Sequence, residues 1–312
     1  MATGGTKATG GTTSAITTGG AVSTGGAATG GAITGGAVST GGAPTGGVPA
    51  TGGAATGGAP TGGAATGGAP STGGAATGGS AAAGCPGTGG PSMVMLPQGY
   101  CIDSTEVTRS QYATWLATTP ALPVSSDANC GWKSTGSYAA DATCMAGTNV
   151  CQGTACGNQP QVCVDWCDAY AYCAGVGKRL CGKIGGGTNA YADVANASLS
   201  QWYNACSSNG ANTYPYGSTY VAATCNGAGT TTTAVGILSG CQASGLYAGA
   251  FDLSGNVLEW EDSCSGTGQT AICRIRGGSF NNGGVNLTCG YGAVTHFRYS
   301  VVNGVGFRCC SP

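Results

Sequence analysis

Apolar positions follow two different rules along this chain. From about Ser92 onward they recur at spacings that predict regular elements, and before that point they do not recur in any structural period. Thr108-Arg-Ser-Gln111 has the form of a capping box, and Tyr112, Trp115 and Leu116 follow at helical spacing. A second helix is predicted to start near Asp165, with Trp166, Ala169, Tyr170 and Cys173 on one face and Gly175 or Gly177 as the stop. A third places Leu199, Trp202, Tyr203 and Cys206 at i, i+3, i+4 and i+7 behind Ser198 as the cap. Cys273 to Phe280 alternates and runs into Gly277-Gly278, which predicts a strand ending at a tight turn or bulge. The remainder reads as short strands between Gly/Asn/Thr-rich turns. The predicted class is α+β, with few helices, long irregular loops and the aromatic helix positions in the core.

Composition sharpens the boundary. Residues 1–91 hold a single charged residue, Lys7, no aromatic side chain, and short irregular repeats such as Ala-Thr-Gly-Gly and Ala-Pro-Thr-Gly-Gly. Without large apolar side chains such a segment cannot offset the entropy of ordering, so it is expected to be a disordered tether spanning roughly 50 Å. Residues 92–312 carry every Trp, Tyr and Phe and are long enough for one core. The net charge of −1, with no basic run, gives no electrostatic footprint for nucleic acid. No apolar run is long enough for a transmembrane segment.

Cysteine changes the picture most. All but Cys85 of the 18 cysteines lie in the C-terminal part, with no C-x2-C pair and His296 as the one histidine. That pattern fits a disulfide framework rather than zinc knuckles, and disulfides at this density place the protein outside a reducing cytosol. The first residues, Met1-Ala-Thr-Gly-Gly, have neither the charged nor the apolar region of a signal peptide, so export is inferred from the cysteines alone. Cys309 and Cys310 point apart in an extended strand and should tie two different loops to it. Cys151 and Cys156 read as bridge-forming, and Cys85 as half of a ninth bridge or a link to another chain.

Six ordered blocks resemble the formylglycine-generating enzyme (sulfatase-modifying factor) family. They are Cys101-Ile-Asp-Ser-Thr-Glu-Val-Thr108 with Gln111-Tyr112; Val164-Asp-Trp166 through Cys173 with Gly177-Lys-Arg-Leu180; Tyr214-Pro-Tyr-Gly217; Gly245-Leu-Tyr247 with Asp252-Leu-Ser-Gly-Asn-Val-Leu-Glu-Trp260; Arg276-Gly-Gly-Ser-Phe280; and Gly306-Phe-Arg308. The resemblance implies an irregular, loop-rich, C-type-lectin-like α+β domain. It departs from the family after Leu180, where Cys181 to Ala197 intervenes before Ser200-Gln-Trp-Tyr-Asn-Ala-Cys206 takes the helix role.

Active relatives oxidise a substrate cysteine with copper held by two thiolates, and soft Cu(I) favours that ligand. The family sets these cysteines as C-x4-C beyond the Gly-Gly-Ser turn. The matching positions here are Asn282 and Leu287, with Cys289 alone nearby, so copper is not expected. One histidine supports neither an iron site nor a nucleophile–histidine pair with an elbow motif. The resemblance also implies calcium held by Asp252, the carbonyls of Gly255 and Val257, and Glu259, and a hard cation suits oxygen ligands at a Gly turn. A second family site would use Asn226 and the Gly227 carbonyl, but its Asp partner is missing between Thr230 and Val235. It further implies a Cys206–Cys309 disulfide. The Asn/Gly/Tyr/Arg-rich stretch with Ser279, Asn281, Asn282, Tyr291, His296, Arg298 and Tyr299 sits where relatives bind ligands, and its composition is that of adaptable recognition loops. The expected function is an exported or surface-displayed, non-catalytic module binding an external protein or glycan; the alternative is a formylglycine-generating oxidase acting on sulfatase cysteines.

Overall fold

The structure, a computed structural model, describes residues 84–86, 89–121, 128–133 and 137–312. Nearly all of the predicted tether lies outside the described residues. In chain order the regular elements are β1 (Met93–Met95), β2 (Cys101–Asp103), α1 (Arg109–Leu116), α2 (Ala142–Met145), α3 (Trp166–Gly175), β3 (Arg179–Leu180), α4 (Gln201–Cys206), β4 (Leu258–Ser265), β5 (Ile272–Arg276), β6 (Thr295–Phe297), β7 (Val305–Phe307) and β8 (Cys309–Ser311).

Local hydrogen bonding sets the helix starts. Thr108 accepts from the Gln111 N–H while the Gln111 side chain takes the Thr108 N–H, the reciprocal box expected at α1. Asp165 and Asp168 do the same at α3, which ends before Gly177 at φ 73°. At α4 the cap is Ser200 rather than the expected Ser198: its hydroxyl oxygen accepts from the Tyr203 N–H. Leu199 therefore precedes the helix. The choice is tertiary, because the Ser200 hydroxyl also donates to buried Glu261 at 2.7 Å, a partner Ser198 does not have.

Two four-stranded sheets result. One runs β1-β2-β8-β3, antiparallel throughout; the other runs β6-β5-β4-β7, with β4 and β7 parallel. The expected strand ending at the double glycine is β5, whose register with β4 shifts between Trp260 and Cys264. Under α1 and α3 lies a core of Tyr112, Trp115, Trp166, Tyr172, Trp260 and Phe307. A second core beside α4 gathers Tyr100, Ile102, Trp202 and Leu253.

Nine disulfides use all 18 cysteines, including Cys85–Cys101 and the local Cys151–Cys156 bridge. The Cys206–Cys309 pairing implied by the family resemblance is not formed. Cys206 pairs with Cys289 and Cys309 with Cys173. The reason is which core each sulfur enters: Cys309 and Cys173 are buried in the first, Cys206 and Cys289 in the second. Cys310, on the opposite face of β8, pairs with Cys181, so the adjacent cysteines do anchor separate segments. In a Cys206→Ala variant of the full chain, alkylation under denaturing, non-reducing conditions at acidic to neutral pH followed by peptide mapping should find one free thiol, at Cys289. Labelling at Cys309 instead would refute the pairing.

Candidate functional site

The double-glycine turn after β5 builds one wall of a polar cleft. Gly278 has φ 71°, and a Cβ there would lie 2.6 Å from the Asn286 carbonyl oxygen, so the turn requires glycine. Behind it, Asn282 uses its side-chain oxygen to accept the Ser279 N–H at 2.9 Å, and the Ser279 hydroxyl reaches Asn281 at 2.8 Å. These three, with Asn149, Asn303 and Val302, line a cleft of about 210 Å³. Its floor is Leu258 and Phe280. The polar lining is neutral: amides and a hydroxyl that offer both donors and acceptors.

At the position of the family's second cysteine, Leu287 is buried and its methyls pack against Gly227 and Gly278. Nearby Cys289 is buried and bridged. The cleft therefore presents no thiolate, as every cysteine is in a disulfide.

The remaining residues of the expected recognition surface divide. Tyr299 is exposed and stacks on exposed Phe297, ring centroids 5.5 Å apart. His296 is half-buried on β6, edge-on to Trp260, and partial burial lowers its pKa. Tyr291 is partly buried in the preceding loop. None of the three lines the cleft. Arg298 corrects the expectation outright: it is buried, its guanidinium lies 4.6 Å from the Trp166 ring centroid, and it donates to the Gly268 carbonyl at 2.9 Å. A cation–π contact and a carbonyl inside the fold draw it inward, so it holds the surface up rather than forming it. Asn149, reached only through the Cys144–Cys163 and Cys151–Cys156 loop, carried no signal in the sequence.

Beneath the Asp252–Trp260 block three carboxylates, Glu106, Asp252 and Glu259, share one guanidinium, Arg308. Arg308 takes both oxygens of Glu259, Nε and Nη2 each at 2.7 Å, and the Trp202 indole N–H donates to the same carboxylate at 2.9 Å. Glu259 is thus committed within the protein and does not suit the role of a free calcium ligand. Asp252, at φ 57°, accepts the Gly236 N–H at 2.5 Å and meets Glu106. Glu106 accepts from the Asn256 amide at 3.0 Å through one oxygen, while the other is buried without a hydrogen-bond partner. An orphaned carboxylate oxygen beside a second carboxylate calls for a proton or a hard cation. A hard cation suits this carboxylate pair, with Glu106 beside Asp252 in the part that the family resemblance gave to Glu259. Among the described residues no group of three His, Cys, Asp or Glu side chains is arranged to hold a metal ion by themselves, so carbonyls would have to complete the set. Asn226, the second-site candidate, instead donates to the Thr231 carbonyl at 3.1 Å and to Asn256 at 3.3 Å, closing its own loop.

Two comparisons bear on this arrangement. Residues 67–311 match the family described as Sulfatase-modifying factor enzyme 1-like domain. The chain belongs to that family. Among solved structures it is similar to CarF at 19% identity and a TM-score of 0.45, covering 68% of this chain and 86% of that one. PvdO from Pseudomonas aeruginosa follows at 20% and 0.44, covering 68% and 79%. Treponema denticola variable protein 1 gives 19% and 0.41, covering 68% and 84%. No curated protein matches. The family match carries the fold, a loop-rich α+β domain of the sulfatase-modifying-factor type.

Burial raises the pKa of Asp252 to about 6 and, with Asp252 beside it, that of Glu106 well above the carboxylate range. In metal-free buffer the native state keeps protons that the unfolded chain releases near pH 3.8. The contribution of this pair to stability should therefore be full below about pH 4 and be lost as pH rises through about 6. Chemical denaturation across that range checks this, and Asp252→Asn should flatten the slope. A wild-type slope of the opposite sign would refute it.

Proposed function

We propose that this chain is an exported, surface-displayed and non-catalytic member of the family, whose asparagine-lined cleft holds an external protein or glycan ligand. The observation that carries the reading is the pairing of all 18 cysteines, with Asn282 and Leu287 where copper-binding relatives need thiolates. Nine disulfides fit an oxidising, extracytoplasmic setting, and no helix among the described residues is long and apolar enough to cross a membrane. The Gly/Thr/Ala segment then serves as a spacer that sets the domain off a surface.

Neutral amides around a small apolar floor suit a ligand rich in hydroxyl or amide groups and offer nothing to a phosphate or a strong acid. Full-length protein screened against immobilised glycans and surface proteins should retain a partner, and Asn282→Leu or Asn303→Leu should weaken that partner at least about tenfold, roughly one buried hydrogen-bond set. Binding untouched by both changes would rule out the cleft. Copper-dependent conversion of a sulfatase cysteine peptide to formylglycine would put the oxidase in its place.

We also propose calcium as the ion that settles the Glu106–Asp252 pair. Added calcium should raise the thermal midpoint at pH 7 and less at pH 5, where protons compete. A Glu106→Gln variant should lose that gain. Equal midpoints with calcium and with chelator would dismiss the ion.

A further inference from the structure

Outside the cleft and the carboxylate cluster, one group of side chains has chemistry that neither uses. Lys133 extends from the turn after Cys130 toward the first turn of α3 and contacts two carboxyls at once. Its Nζ lies 2.6 Å from Asp165 Oδ2 and donates to Asp168 Oδ1. The side chains of Lys133, Asp165 and Asp168 are only 11%, 7% and 3% exposed. The rings of Trp132 and Tyr138 stand 5.9 and 5.8 Å from Nζ. The group is therefore an amine and two carboxyls in a largely dry, aromatic enclosure.

The capping box fixes the carboxyls relative to each other. The Asp165 N–H donates to Asp168 Oδ2 at 3.0 Å, and the Asp168 N–H donates to Asp165 Oδ1 at 2.9 Å. Asp168 thus has one oxygen polarised by a backbone N–H and the other against Nζ. Asp165 has one oxygen tied to the helix and the other on the lysine nitrogen. A disulfide holds the approach, since Cys130–Cys167 joins the turn bearing Lys133 to the residue before Asp168.

We propose that Lys133 and Asp168 condense to form an intramolecular isopeptide bond, with Asp165 acting as the base. Asp165 Oδ2 takes a proton from Nζ, and the nitrogen lone pair attacks Asp168 Cγ. The Asp165 N–H stabilises the charge that develops on Oδ2, in the manner of an oxyanion hole. The Cγ–Oδ1 bond breaks, and Oδ1 leaves as water with the two protons that an ammonium gives up in becoming an amide. An ammonium and a carboxylate go in; an amide and one water come out, and no electrons are exchanged.

Three features favour this over an inert ion pair. Two carboxyls and one amine enclosed together leave one carboxyl in excess, and condensation removes a buried charge pair whose desolvation is costly. Burial and the neighbouring Asp165 raise the pKa of Asp168 to about 8, toward the neutral acid from which water can leave. The disulfide and the capping box fix the reacting groups in contact, the condition under which intramolecular reactions gain most. The carboxylate that remains, Asp165, stays as the cap of α3, where the helix dipole stabilises it.

Such a bond would duplicate the Cys130–Cys167 link in a form that reductants do not open. The test is mass spectrometry of the full chain made in an oxidising compartment, then fully reduced and alkylated. The expected intact mass is one water below that of the alkylated sequence. Trypsin should leave Lys133 uncut and yield a branched peptide joining it to Asp168. Lys133→Arg keeps the positive charge between the carboxyls and should show the full mass with an unchanged disulfide map. Asp165→Asn should likewise keep its disulfides and retain the full mass. A wild-type chain of full mass, cleaved cleanly after Lys133, overturns the bond; complete water loss in Asp165→Asn overturns the assignment of the base.

Discussion

The buried pairing of Arg308 with Glu259 is the constraint around which the domain is arranged. Both side chains are essentially without solvent. A charge in that position is tolerated only when every donor and acceptor is met. Arg308 meets this by donating to both Glu259 oxygens and to the carbonyls of Asp103 and Phe251. These contacts fasten the segment leading into β8 to β4, to the end of β2 and to the loop before the Gly255 turn. Trp202 adds α4 to the same carboxylate. Lysine could not substitute, because a point ammonium cannot span a carboxylate and two carbonyls in a fixed fork. Next to it, Lys178 pairs with Asp103 at 2.6 Å with both side chains fully buried, so a second ion pair ties the residue before β3 to the end of β2.

Disulfides supply what short strands and long loops do not. Most strands of this domain have only three residues, and much of the chain between them is turn. Cross-links between distant segments, such as Cys173–Cys309 and Cys181–Cys310, limit the unfolded ensemble more than local ones like Cys151–Cys156. The same cross-links hold irregular loops still enough to present a cleft. Asn149 reaches the cleft wall from a doubly bridged loop, and Asn281 and Asn282 from a turn in which Ser279 and the glycines leave little freedom. A domain with so little regular structure relies on such cross-links to fix its loops.

Asn282 and Leu287, which stand at the positions matching the family's cysteine pair, serve packing. Leu287 fills apolar space between glycines, Asn282 caps the Gly-Gly-Ser turn, and Cys289 secures the loop to α4. The carboxylate cluster shows the opposite tendency. Its charges exceed what Arg308 neutralises, and the unpaired oxygen of Glu106 records the excess. The cleft is lined by neutral polar groups, while the carboxylate cluster keeps a demand for a proton or cation.

Sequence alone determined whatever depends on neighbours along the chain. The capping boxes at Thr108 and Asp165, the strand ending at Gly277-Gly278, the disulfide framework and the family blocks were legible because short-range hydrogen bonds, side-chain period and glycine geometry are encoded within a few residues. Tertiary structure decided the rest. Which cysteine meets Cys206 depended on which of two cores each sulfur entered. Ser200 displaced Ser198 as a cap because Glu261 was waiting for its hydroxyl. Arg298 left the surface for Trp166, and Glu259 took Arg308 as its partner. Lys133 came to face Asp165 and Asp168 across a separation that no local period spans. Apart from the cysteines, the deciding energy was burial of a polar or charged group, and the partner that satisfies it is fixed only when distant segments meet.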